Sequence, residues 1–576
     1  MTATYDIVIR RGVVHDGLGG APREADVAVK DGRIAEVGKV AASGAEEIDA
    51  RDRIVTPGFI DIHTHYDGQA TWEPRMQPSS GHGVTTVIGG NCGVGFAPCR
   101  PSQRDLLMKL MEGIEDVPEL VMIDGLPWAW ESFPQYLDYL AAQQFDIDVG
   151  MQIPHSPIRV YVMGDRGARR EAATADDIGQ MSALVEEGVR AGAFGVSTSR
   201  FLMHRTRAGE MAPSIDAAEA ELMGLAAGLR RAEAGVFQII PAMLEQPDGE
   251  YALMRRLAEA SCRPLSFTLM SAPNPRDGWR RYMELLEHDQ PRQGMIRGQV
   301  YPRPAGILLG LDLSFHPFCL NPSYRPLAKL PLAERVKAMR EPELKAKLLS
   351  EQPQDPNPFI LRQVQLDRPL YLLGDPPQYE PSPEDELGRV AERRGLSKAE
   401  MIYDLLLSDE GRAILYSPAA NFPDDSLDGV GELLRHPHTV IALGDGGAHY
   451  GMICDASYPT FLLTHWSRDA RPGRRFDMAE AVRKLTSEPA AAVGLSDRGA
   501  VAVGKKADLN VIDVGGLRLH RPAPAYDLPS EGRRLRQRAD GYCASVVSGQ
   551  ITYRDGEPTA ALPGRLVRRI GSGGIA

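Results

Sequence analysis

The chain has 576 residues, 43% hydrophobic and 25% charged, ordinary values for a globular protein that can fill a large core, so general disorder is excluded. With 65 Lys and Arg against 77 Asp and Glu the net charge is −12, and no basic run is concentrated locally, which argues against nucleic acid and against a membrane surface as partners. No stretch reaches the ~18 apolar residues of a membrane helix and no leader pattern opens the chain; six cysteines without a CxxC pair fit a reducing compartment, so a cytoplasmic protein is expected.

In chain order, DIVIRRGVVHDGLGG and DVAVKDGRIAEVG alternate β-branched with polar residues and carry Asp-Gly pairs, the pattern of hairpins in a sheet with one wet face. From RIVTPGFIDIHTH onward, apolar strands alternate with amphipathic helices. Thr174 caps a helix with Ile178, Met181, Leu184 and Val185 on one side, Gly192 fits its end, and AFGVSTS follows as a strand. Further strands are read at TTVIGG, FDIDVGMQI, VFQII, RPLSFTLM, IRGQVYP and TVIALGD. About eight strands with helices between them predict an α/β fold built on a parallel (β/α)8 TIM-like barrel.

Between Arg340 and Arg394 the composition turns to Pro, Glu and Asp. Ser382 and Pro383 start a helix that Gly395 ends, and Ser397 with Glu400 forms a capping box; the stretch around 340–395 reads as an insertion between barrel strands. After Ser487 the β pattern returns in GAVAVGKKADLNVIDV and ASVVSGQITYRDGE. Neither β-rich end has enough apolar surface alone, so 1–55 and 487–560 are expected to form one composite β-sandwich beside a barrel over 56–486. Residues 561–576 are left as a tail with a loose Gly-Ser end.

His63 and His65 stand at the end of an apolar strand. Residues i and i+2 share a face about 6.6 Å apart, so both imidazoles can lean onto one cation, with Asp61 at the same parity. Asp445 ends TVIALGD and is followed by GlyGlyAlaHis, which puts a carboxylate at a strand mouth with small neighbours. His449, one turn later, fits a supporting or surface position better than a ligand. Cys92 in GGNCGVGFAPC is either a zinc ligand or a half-buried apolar thiol. No phosphate-binding glycine pattern occurs. His155 and Arg159, then Arg200, His204 and Arg205, and finally Arg303 all follow predicted strands; guanidinium forks suit a substrate carboxylate as well as ordinary ion pairs. The aromatics of GLPWAWESFPQY fit packing.

Taken together, PGFIDIHTHYD, GVTTVIGGNCGVGFAP, GAFGVSTS, GDGGAH and LTSEPAAAVGLSDRGAVAVGKKADLNVID resemble the amidohydrolase superfamily, and within it the N-acyl-D-amino-acid deacylase (D-aminoacylase) branch. The resemblance covers nearly the whole chain. It implies a metal-bearing (β/α)8 barrel flanked by a β-sandwich from both chain ends, with His63 and His65 as a metal-binding pair, Cys92 as a metal ligand, and Asp445 as catalytic aspartate and further ligand. Two histidines that the branch carries after its middle strands are replaced, with Gln238 and Thr268 near their places, and a Y-P-Y substrate contact reads Tyr301, Pro302, Arg303. An amide and a hydroxyl are poorer zinc ligands than imidazole.

The implied activity is hydrolysis of the linear amide of an N-acyl (D-)amino acid or related carboxylate-bearing small molecule. One or two Zn²⁺ ions would serve it, with Asp445 as general base and then acid. Arg200, Arg303, Tyr301 and His155 are the expected substrate contacts. Hydrolysis of a cyclic amide, lactone or ester on the same scaffold is the alternative, and a non-catalytic barrel that has lost the tight zinc site is a second. No long heptad pattern is present, and assembly into a homo-oligomer stays open.

Overall fold

The alternating residues of the N-terminus form the antiparallel strands Tyr5–Val14, Arg23–Lys30 and Arg33–Gly38. The computed structural model describes residues 4–242, 246–272, 278–288, 295–570 and 574–575. Strand Ile54–Pro57 pairs on one side with Tyr5–Val14 and on the other with Leu509–Ile512 from the far end of the chain, in the register Val55 to Val511. Tyr542–Val547, Gln550–Arg554 and Glu557–Pro558 complete a sheet of nine strands. Ile7, Ile9, Val27, Val29, Val55, Leu509, Val511 and Val546 give it a core of its own. The two ends are thus one continuous sheet, stabilised by apolar area that neither end could bury alone.

The apolar strands that follow are parallel and buried along their length, which is why they read as continuous hydrophobic runs without a polar face. Phe59–Asp61, Val84–Gly89 and Asp148–Met151 form one sheet; Ile153–Pro154, Gly195–Ser199, Val236–Ile240, Leu265–Thr268, Ile296–Val300 and Thr439–Ile441 form another, in that spatial order. Only Gln152 separates Met151 from Ile153 between the two sheets. At the opposite seam the Asp445 N–H donates to the His63 carbonyl at 3.1 Å. The helix Ala175–Arg190 begins where Thr174 accepts the Asp177 N–H and the Asp177 carboxylate accepts the Thr174 N–H, and Gly192 follows its end at φ 117°.

The Pro-rich stretch at 340–395 lies within a larger unit with a sheet and core of its own. Ala305–Leu309 pairs antiparallel with Leu415–Ala420, which also pairs with Tyr371–Leu372. The helices between them pack on a separate core that includes Ile307, Phe315, Met339, Ile402, Leu406 and Leu415. Composition marks only the polar middle of this unit, because its bounding strands are as apolar as the parallel ones. The helix starting at Ser382 is in fact a short turn, Pro383–Asp385, followed by Leu387–Arg393, since Glu386 caps anew by accepting the Gly388 and Arg389 N–H groups. The tail also has a place: Gly564 and Phe145 exchange backbone hydrogen bonds, and Val567 N–H donates to the Val149 carbonyl. Residues 571–573 and 576 of its Gly-Ser end lie outside the described residues. Among the described residues no helix is long and apolar enough to cross a membrane.

Asp148, on a parallel strand, ties these parts together. Its carboxylate accepts from Arg498 at 2.6 Å and the Arg565 N–H at 3.0 Å, and lies 3.1 Å from Lys506 Nζ. Lys506 also pairs with Asp508, and Arg498 with Asp497 and Thr86. Burial acts to raise the Asp148 carboxyl, but Lys506 and Arg498 outweigh it and hold the group below its ordinary range. A lowered folded value means that the stability it contributes is present above the unfolded value of about 3.9 and is lost as pH falls through the folded one. Arg498→Met should therefore cost about 3–5 kcal/mol at neutral pH, because it leaves a buried carboxylate short of its partner. Urea unfolding measures this, and an unchanged midpoint would refute the clamp.

Candidate metal and catalytic site

His63 and His65 leave the end of Phe59–Asp61 with ring centroids 5.6 Å apart, and both are buried. His63 Nδ1 lies 2.6 Å from Gln299 Oε1 on the strand Ile296–Val300. The Gln299 amide NH₂ donates to Ser266 Oγ at 2.9 Å, so its oxygen is the atom offered to the ring. Nδ1 thus carries the proton and the Nε2 lone pair points inward. That Nε2 lies 3.2 Å from Cys92 Sγ, and His65 Nε2 lies 3.6 Å from the same sulfur. One ligand atom from each of the three residues falls within 4.8 Å of the others. Asp445 Oδ1 stands 3.6 Å from His63 Nε2 and 3.7 Å from His65 Nε2.

Backbone conformation aims these groups. Cys92 (φ 59°), Leu443 (φ 67°), Asp445 (φ 47°) and His449 (φ 53°) all occupy the left-handed region, which costs on the order of 1–3 kcal/mol per non-glycine residue. The Cys92 N–H donates to Gln238 Oε1 at 3.2 Å. Gly444 has no room for a side chain, because a Cβ there would lie 2.0 Å from Asp61 Oδ2. This close approach accounts for the first glycine of GDGGAH.

Burial sets the electrostatics. It lowers His63 to about 4 and His65 to about 3, so both rings are neutral near pH 7. It pushes the Cys92 thiol and the carboxyls of Asp61 and Glu115 well up, and Asp67 up to about 7. Asp445 Oδ1 is buried without a hydrogen-bond partner. Two neutral Nε2 atoms, a sulfur and an orphaned carboxylate oxygen converging on one spot are a donor set for a divalent cation, and the thiol with two imidazoles matches the softer ones.

A cavity of about 330 Å³ opens above, lined by His63, Cys92, Asp445, Glu115 and Thr268 among polar groups. The inserted unit contributes Ala305, Ile307, Phe315 and Ile360 to an otherwise apolar wall, and Arg205 and Arg207 also face it.

Of the expected substrate contacts, Tyr301 lines this cavity, its hydroxyl donating to the Asp455 carbonyl at 3.1 Å. The other three do not. Arg303 is 2% exposed, donates to Ser457 Oγ and Asp455, and lies 3.9 Å over the Tyr379 ring, so it braces the wall from behind. Arg200 is engaged by Glu250 at 3.1 Å. His155 bridges Thr198 Oγ1 and Glu221 Oε1, the latter also bound by Arg159, in a buried network outside the cavity lining. In each case a local carboxylate already meets the charge, which strand-end position alone does not reveal. Gln238 and Thr268 are both buried; Gln238 serves the Cys92 backbone, and Thr268 Oγ1 faces the cavity unpartnered.

His449 is closer to the centre than its sequence position suggested, lining the cavity with Nε2 3.6 Å from Glu115 Oε2. Glu115 and Gln299 were missed. Glu115 had a signal: with Leu107 and Met111 it lies on the buried stripe of the helix Arg104–Glu115, an acid where the period calls for an apolar residue.

The profile described as amidohydrolase family matches residues 46–553. D-aminoacylase of Alcaligenes xylosoxydans xylosoxydans is 26% identical over 576 aligned residues, 98% of either chain. The N-acyl-D-aspartate deacylase of that organism is 38% identical over 202 residues, 34% of this chain and 37% of the other. A crystal structure of D-aminoacylase superposes with a TM-score of 0.66 at 25% identity, over 98% of this chain and 100% of that one. N-acyl-D-glutamate deacylase from Bordetella bronchiseptica, complexed with zinc and a phosphonate inhibitor, shares the fold with a TM-score of 0.65 at 21% identity, over 98% and 100% of the two chains.

If Gln238 and Thr268 limit the number of ions, replacing both with histidine should raise bound divalent metal from about one equivalent towards two. Elemental analysis after dialysis reads the ratio, and an unchanged value would show that these positions do not set it.

Proposed function

The chain belongs to the amidohydrolase family and is a hydrolase of carbon–nitrogen bonds other than peptide bonds, and from that premise we propose that it cleaves the linear amide of an N-acyl (D-)amino acid or a closely related carboxylate-bearing molecule. The observation that carries this reading is the orphaned Asp445 Oδ1, within 4 Å of both inward Nε2 atoms and facing the cavity. We read the two parallel sheets as the arcs of one eight-stranded barrel, with the site at its C-terminal mouth, and the nine-stranded end sheet as the flanking β-sandwich.

In this reading His63, His65, Cys92 and Asp445 hold a divalent cation, with zinc the best match to a thiolate and two imidazoles. Such an ion, when bound, lowers the pKa of water from 15.7 towards about 7 and polarises a carbonyl. Asp445 takes the proton of the attacking water and returns it to the leaving nitrogen, so one carboxylate acts first as base and then as acid. Gln299 keeps His63 in the tautomer that directs Nε2 inward. Arg207, exposed at the cavity edge, receives the substrate carboxylate in place of the engaged Arg200 and Arg303. The described cysteines are all free, in keeping with a cytoplasmic location.

Asp445→Asn should lower kcat at least 10²–10⁴-fold, the usual worth of a general base, with circular dichroism unchanged; full turnover in that variant would sink the mechanism. Arg207→Ala should raise KM for N-acyl amino acids about 10–100-fold, as expected for loss of a charge-assisted hydrogen bond, and leave the corresponding amides of uncharged amines nearly unaffected. A panel of N-acyl-D- and L-amino acids, cyclic amides and esters, with and without added Zn²⁺, tests the substrate class. Release confined to esters or cyclic amides would overturn the linear-amide assignment.

A further inference from the structure

Glu115 is a carboxylate in an unfavourable place. It is 2% exposed and ends the helix Arg104–Glu115, where the helix dipole is negative and an anion is disfavoured. Its ion-pair contacts among the described residues are two imidazoles: Oε1 lies 3.5 Å from His65 Nδ1, and Oε2 lies 3.6 Å from His449 Nε2. No Lys or Arg pairs with it among the described residues, so its charged form would bear desolvation and dipole costs without a compensating cation of its own.

The surrounding backbone nevertheless fixes it there. A Cβ on Gly113 would lie 2.4 Å from the Arg205 carbonyl oxygen and 2.5 Å from the Arg207 nitrogen, so the helix end is pressed against that segment. The next residue, Asp116, turns left-handed (φ 51°) and accepts from Ser314 Oγ at 2.9 Å and the Gly451 N–H at 3.0 Å. The Glu115 carbonyl itself accepts the His449 N–H. Several contacts thus hold a carboxylate beside the one unpartnered nitrogen of His65, since Nδ1 has no hydrogen bond.

We infer that Glu115 is a positioning residue of the cation site: it accepts the Nδ1 proton of His65 and so turns the Nε2 lone pair of that ring toward Cys92 and Asp445. His63 has a neutral amide, Gln299, behind it, while His65 has a carboxyl that a bound cation would favour as the anion. A carboxylate behind an imidazole fixes its tautomer and raises its basicity. The two atoms stand 3.5 Å apart, so a shift of about 0.5 Å completes the hydrogen bond. The extra negative charge offsets part of what is lost by having Gln238 and Thr268 where imidazoles would add donors. This inference rests on the reading that His63, His65, Cys92 and Asp445 hold a divalent cation.

The test is a Co²⁺ titration of the full-length metal-free chain against a competing chelator, followed by the thiolate-to-cobalt absorption, for the wild type, Glu115→Gln and Glu115→Ala. Glu115→Gln keeps the shape and removes the charge; it should weaken Co²⁺ binding 10–100-fold, retain the thiolate absorption at saturation, and leave the metal-free melting temperature no lower than that of the wild type. Glu115→Ala should weaken binding at least as much. Equal Co²⁺ affinity in wild type and Glu115→Gln would overturn the role of Glu115 while leaving the cation site standing. Absence of thiolate-to-cobalt absorption in the wild type would instead overturn the cation site, and the inference with it.

Discussion

Glu115, Asp445 and Cys92 line one cavity, with Asp61 and Asp67 buried close behind, and no Lys or Arg forms an ion pair with any of them among the described residues. The rings beside them are neutral at pH 7 because burial disfavours the imidazolium form. Such an excess of acceptors is unfavourable in a low-dielectric interior unless a positive charge enters. The architecture around the site follows from maintaining that imbalance. Parallel strands covered on both faces exclude water, and left-handed residues at Cys92, Asp445 and His449 turn polar groups inward where an unstrained strand end would splay them. The stability of the fold has to come from elsewhere, from the apolar layers and from the paired charges remote from the centre.

Two kinds of buried charge therefore divide the molecule. Around Asp148, and between Arg303 and Asp455, each carboxylate has a guanidinium or ammonium within 3.1 Å. Those pairs are complete and structural, and they explain why arginines that looked available for substrate are not. Glu115 and Asp445 in the cavity lining lack such partners, the pattern expected of a functional site. The distinction depends on partners distant in the chain, hundreds of residues apart in the case of Asp148 and Arg498.

Much of this was legible in the sequence. His63 and His65 are readable from an i, i+2 pair at a strand end, Asp445 from an apolar run that breaks into glycines, and the helix after Thr174 from its cap and period. The local rules behind these readings involve neighbours a few residues away, so one sequence carries them. Arg200, Arg303 and His155 illustrate the limit: each follows a strand, yet each is neutralised by Glu250, Asp455 or Glu221 brought in by tertiary folding. The extent of the unit around 340–395 is hidden in the sequence for a related reason: its strands Ala305–Leu309 and Leu415–Ala420 are as apolar as the parallel strands, and only their antiparallel pairing tells them apart. Glu115 shows the reverse case, an acid at an apolar position of a helix period, a signal that one sequence does carry.

The clamp at Asp148 also bears on the order in which the protein can be made. This carboxylate belongs to a strand completed within the first third of the chain, but Arg498, Lys506 and the Arg565 amide lie in the last. On a ribosome the strand emerges long before its counter-charges do, and a buried unpaired carboxylate costs several kcal/mol. A chain lacking residues from 498 onward has neither Arg498 nor Lys506 to meet Asp148, so closing its first strands would then require protonating that carboxyl or bearing the cost of a bare buried charge.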